Sequence, residues 1–158
     1  MAILLTPLAA LATLATGLLA GASLDQSIKQ LPARRRIGAV AYAAYAGAAD
    51  LGNGVVWYAS LGVGAALLCV LTALAARAAH LAGTGATACW LSAALAIAHS
   101  LTTAKAAPIM FSSRKLLGDP AALSKIFDRF ALWQGLRAAL QLVNFMAALW
   151  SLLSTWRL

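Results

Sequence analysis

Residues 51–76 read LGNGVVWYASLGVGAALLCVLTALAA, a run with no charged side chain. About 20 apolar residues suffice for a helix to cross the hydrocarbon of a bilayer. Lipid offers no partners for exposed backbone groups, so such a run predicts a transmembrane helix. Three further runs behave alike: 1–24 is uncharged, 81–104 holds only His99, and 130–155 holds only Arg137. The pattern predicts an all-α, four-helix transmembrane bundle with amphipathic cytoplasmic helical extensions. It forms a single domain over 1–158, with spans at 3–24, 51–76, 81–104 and 130–154. The first run lacks a basic leader and is too long for a signal-peptide core, so it is read as a span.

Composition agrees. Of 158 residues, 63% are hydrophobic and 10% charged, against roughly 25% charged in soluble domains. A disordered chain would be poor in apolar residues. Cys69 and Cys89 sit in apolar runs, which argues against a disulfide framework or a cysteine-rich metal site. The formal charge of +8 fits contact with an anionic membrane face, and no nucleic-acid-reading motif is present.

The basic residues orient the bundle. Lys29, Arg34, Arg35 and Arg36 follow the first span, and Lys105, Arg114, Lys115, Lys125 and Arg129 separate the third from the fourth. Arg77 and Arg157 lie on the other side. The positive-inside rule places the larger group in the cytoplasm, as for a multi-pass protein of a bacterial inner membrane with both termini outward. The cytoplasmic connections should be helical. Pro32 suits a first helical turn, and Ile37, Val40, Ala41, Ala44 and Ala48 recur at helical spacing. Gly52 and Gly54 mark a bend. In Gly118-Asp119-Pro120 the aspartate suits an N-cap and the proline the first helical position, so the fourth helix should begin near Pro120. The third should continue past Lys105 with a bend at Pro108. Gly17 and Gly21 form a GxxxG pair suited to close helix contact, or to chance in an Ala/Gly-rich helix.

Ionisable groups inside a membrane are costly and face the bundle interior or water. His99 lies about 8 Å and Arg137 about 12 Å inside the cytoplasmic edge. Asp50 and Asn53 open the second span, with Trp57 one turn deeper. Trp133, Arg137, Gln141 and Asn144 share one face of the fourth. Each has a plainer reading: a snorkelling arginine, a packing histidine, an interfacial counter-charge, belt tryptophans and interhelical amide contacts. There is no HExxH, no P-loop and no dinucleotide fingerprint. His80 and His99 fall on opposite sides, which argues against bis-histidine haem ligation.

One longer pattern resembles a known family. Leu31-Pro32-Ala33-Arg34-Arg35-Arg36-Ile37-Gly38 is followed by Tyr42, Tyr45 and Asp50-Leu51-Gly52-Asn53-Gly54. Later come Ala107-Pro108-Ile109-Met110 and Phe127-Asp128-Arg129-Phe130-Ala131-Leu132-Trp133-Gln134-Gly135-Leu136-Arg137. This is similar to the anthrone oxygenase-like family of small four-helix membrane proteins. Many of its bacterial members are known only as a domain of unknown function. After Pro-Ile, where many relatives carry Asn, this chain has Met110. The resemblance implies oxidation of a hydrophobic aromatic compound by dioxygen without a metal, flavin or other cofactor. That chemistry needs a base, an anion stabiliser and a flat apolar pocket. His99 suits the base, because its ordinary pKa is near neutrality. Arg137, with Asp50 near it, suits the stabiliser. Trp57 and Trp133 would bracket the rings, with Asn53, Gln141 and Asn144 contacting the small molecule. The alternative is a non-enzymatic bundle that binds lipid or apolar ligands, or a subunit of a larger assembly. Transport fits poorly: four short spans without an inverted repeat offer little machinery unless copies associate as a homo-oligomer.

Overall fold

Each uncharged run forms the body of a long helix in the computed structural model, which describes residues 2–156. Arg157, counted above on the outer side, lies outside the described residues. Helix α1 spans Ala2–Asp25, α2 Leu31–Ile37, α3 Ala39–Ala48, α4 Gly54–Ala78, α5 Gly83–Ser112 and α6 Pro120–Thr155. A wide π-turn at Gln26–Gln30 joins α1 to α2 without a break, and a second at Ala49–Asn53 joins α3 to α4. The resulting four columns are each long and apolar enough to cross a membrane. α1 packs on α4 and α6, and α5 packs on the same two, so the columns close into a square.

The ends follow local chemistry. The Asp119 carboxylate accepts from the Ala122 amide at 2.9 Å and Pro120 begins α6, as the sequence predicts. α5 runs through Pro108 to Ser112. The helical face after Pro32 does not continue unbroken. Gly38 adopts φ +86° and splits it into α2 and α3, a conformation that costs glycine no Cβ clash. The bend at Gly52 is real, with φ −89° and ψ −119°. The carbonyl of Leu51 within this turn accepts from Arg114 at 2.6 Å.

Polarity is arranged inside out. Leu14, Leu18, Val56, Val63, Leu67, Ile97, Leu101, Leu132 and Leu153 all face outward, Leu132 being 77% exposed. The interior holds alanines and polar groups: Thr16, Ser23, Gln26, Ser92, His99, Gln134, Arg137, Gln141 and Asn144. These stitch the square together. Gln134 donates to the Ser23 carbonyl at 3.2 Å, Thr6 to the Thr155 carbonyl at 3.1 Å, and Ser92 to Asn144 Oδ1 at 2.8 Å. Cys89 and Ser151 lie 3.0 Å apart.

At one end the columns overhang the square. Leu31, Tyr42, Ala43, Ala46, Leu51, Ala106, Met110, Leu123, Phe127 and Phe130 form an apolar cluster there. Phe127 meets Tyr42 edge to face, with ring centroids 4.9 Å apart. Arg34 of α2 pairs with Asp128 of α6 at 2.6 Å. The GxxxG pair divides. A Cβ on Gly17 would sit 3.1 Å from the Phe145 ring, whereas nothing lies within 4 Å of one on Gly21.

Candidate functional site

Below this overhang, α4 and α5 part around a cavity of about 440 Å³. Gly62 is one reason. With no side chain it leaves the space beside His99, whose Cε1 would lie 3.8 Å from a Cβ there. The rim includes Val55, Val63, Ser100, Ala104 and Phe111, all exposed on the apolar outer surface. The cavity therefore opens sideways, between two helices. Its far wall is α1, the first π-turn and α6, through Leu19, Ser23, Gln26, Phe130, Arg137 and Gln141.

Apolar walls end in a polar inner corner. Arg137 is 8% exposed and donates through Nη2 to Gln26 Oε1 at 3.1 Å. Gln26 in turn donates through Nε2 to Asp50 Oδ2 at 3.0 Å. An amide thus links guanidinium and carboxylate, spanning α6, the first π-turn and the second. Three buried polar atoms at this corner have no partner: Arg137 Nε, Gln141 Oε1 and the Ser23 hydroxyl. These atoms have almost no accessible surface, so they sit behind the cavity lining and do not face its open space. Orphaned groups of this kind cost about 1–3 kcal/mol each until satisfied.

His99 is 5% exposed and lines the same cavity. The Thr103 hydroxyl donates to the His99 carbonyl at 3.1 Å and lies 3.2 Å from its Nε2. A hydroxyl has one hydrogen. It donates to only one of the two, and the carbonyl also accepts from Thr102 at 2.7 Å, so the roles of the ring nitrogens follow from which one it serves.

Of the residues singled out from the sequence, His99, Arg137, Asp50 and Gln141 line the cavity, and Trp57, Trp133, Asn53 and Asn144 do not. Trp57 points outward at 52% exposure and Asn53 is exposed in the second π-turn. The interruption at Gly52 breaks the helical phase, so spacing counted from Asp50 does not carry to Trp57. Trp133 packs on the overhang cluster. Residues four apart drift by about 40° around a helix, and two such steps turn Trp133 away from the face of Gln141. Asn144 bonds within the α5–α6 interface.

Gln26, Ser23 and Tyr58 were missed. The first two follow Thr16 and Leu19 at spacings of three and four, a buried stripe readable from helical periodicity. Gln26 follows Asp25, the charge that closes the uncharged run, and so reads from the sequence as lying beyond a span that ends at 24. Tyr58 shares a face of α4 with Val55 and Gly62. Met110 also lines the cavity. Among the described residues no three His, Cys, Asp or Glu side chains converge on a common point. Comparison with family models, with curated proteins and with solved structures finds no match to this chain.

Proposed function

We propose that this is a multi-pass membrane protein that takes a hydrophobic small molecule, bearing a polar oxygen at one end, from the bilayer into the cavity between α4 and α5. The observation that carries the reading is the pairing of a sideways apolar opening with an inner corner where Arg137, Gln26 and Asp50 are linked beside His99. The volume lies in the range of about 300–1,000 Å³ that holds small organic ligands. Membrane residence is supported by the inside-out polarity, since a soluble monomer does not expose apolar surface on every helix. Tryptophans 90, 150 and 156, exposed toward one end, suit an interfacial belt. The basic connections at the other end suit the cytoplasmic side of a bacterial inner membrane.

A catalytic extension is favoured by one observation, the sharing of this cavity by His99 and Arg137. A ketone whose adjacent methylene is acidified by aromatic rings needs only a base and an anion partner. His99 removes a methylene proton, and the positive charge of the Arg137 guanidinium stabilises the developing enolate. The carbanion gives its electron pair to dioxygen, forming a carbon–oxygen bond, and the peroxide takes up a proton. Loss of the remaining hydrogen from that carbon, with cleavage of the O–O bond, releases water and leaves a second carbonyl. Dioxygen is the only oxidant, and no metal or flavin enters.

The test is dioxygen uptake by the purified, membrane-reconstituted protein with a panel of hydroxylated anthrones, beside His99→Ala. Uptake above the spontaneous rate, matched by quinone absorbance and lost in the variant, is the expected result. Saturable binding without uptake would leave the ligand-binding reading and remove the catalytic one. Neither binding nor uptake would remove both.

A further inference from the structure

On the outer side of the α5–α6 hairpin lies a second concavity, of about 450 Å³. Lys105, Pro108, Ile109 and Ser112 of α5 form one wall, and Ile126 and Arg129 of α6 the other. Their spacings place each set on a single helical face. Two cations from two helices thus share one groove with an apolar floor.

Among the described residues no carboxylate neutralises them. Asp25 pairs with Lys29, Asp128 with Arg34, Asp50 accepts from Gln26, and Asp119 caps α6. The chain has no glutamate. Among the described residues neither Lys105 nor Arg129 has an ion-pair partner. Two like charges held over apolar side chains call for an anion between them. The groove also sits at a telling height. Lys105 lies six residues beyond His99, about 9 Å, and Arg129 eight residues before Arg137, about 12 Å. It therefore borders the uncharged body of the bundle, at the end that carries most of the basic residues.

We infer that this groove binds an anionic phospholipid. Lys105 and Arg129 hold the phosphodiester oxygens, and an acyl chain runs up from Ile109 and Ile126 along the apolar outer surface. A phosphate alone would leave that floor unused. The inference rests on the membrane-embedded reading above.

The test uses the full chain in nanodiscs of phosphatidylcholine with and without phosphatidylglycerol, with bound lipid counted by native mass spectrometry. One retained phosphatidylglycerol per chain is expected. Lys105→Gln with Arg129→Gln should weaken its retention about 30-fold, from roughly 1 kcal/mol for each of the two hydrogen bonds to the phosphodiester that are lost. Arg35→Gln with Arg36→Gln removes the same charge from α2, outside the groove, and should leave retention unchanged. Equal losses in the two double variants, or full retention in the first, would overturn the site. Displacement of the lipid by inorganic phosphate at millimolar concentration would overturn the choice of lipid over free anion. Failure of the membrane reading would show separately, as a protein that stays monodisperse in buffer without detergent.

Discussion

Replacing Gln26 by leucine removes the amide that joins Arg137 to Asp50 and changes little else. Gln26 is buried, and its side chain makes two hydrogen bonds, at 3.1 Å from the guanidinium and 3.0 Å to the carboxylate. Hydrogen bonds between helices in membrane proteins average about 0.6 kcal/mol, and a charged partner roughly doubles this. Two such bonds come to about 2.4 kcal/mol, or about 60-fold in the folding equilibrium. The assay is reversible unfolding in mixed micelles, followed by circular dichroism. A double-mutant cycle with Arg137→Met should give a coupling of about 1.2 kcal/mol, the share of the bond between those two side chains. Uncoupled sites add within about 0.3–0.5 kcal/mol. A Gln26→Leu loss below that range, or a coupling inside it, would refute the linked corner and remove Arg137 as a held anion partner.

Two other perturbations test the packing. Gly17→Val should destabilise by about 1–3 kcal/mol, the usual effect of overpacking, because its Cβ would press the Phe145 ring. Gly21→Val, with nothing within 4 Å, should not, and equal effects at the two positions would contradict the α1–α6 contact. Phe127→Ala should lose about 3–5 kcal/mol, as for other fully buried aromatics, since it fills the overhang cluster against Tyr42. A loss under about 1 kcal/mol in the same unfolding assay would mean that this cluster is not a packed core.

How much was legible depends on which residues carried the signal. The four long helices were visible because charge is excluded from each of their bodies, and the start of α6 because Asp119-Pro120 encodes a cap. The depth shared by His99, Arg137 and Asp50 followed from counting 1.5 Å per residue along regular helices. The same counting failed where the helices are irregular. The π-turn at Gln26–Gln30 carries α1 onward past Asp25, so Gln26 enters the bundle although charge marks the span as finished. The Gly52 kink rotates α4 relative to Asp50 and sends Trp57 outward. The cavity was illegible for another reason. It is in part space left by Gly62, and an absent side chain has no sequence signal of its own.

Gly62 offers the most direct test that the cavity is the ligand site. Saturable binding of a hydroxylated anthraquinone by the protein in nanodiscs would be followed through tryptophan fluorescence for the wild type, Gly62→Phe and Gly64→Phe. Gly62 lines the cavity and Gly64 does not. A Cβ at Gly64 would meet nothing within 4 Å, so that position tolerates the change. The account predicts binding by the wild type and Gly64→Phe and its loss in a folded Gly62→Phe. Equal binding by all three, or no binding by the wild type, would contradict it.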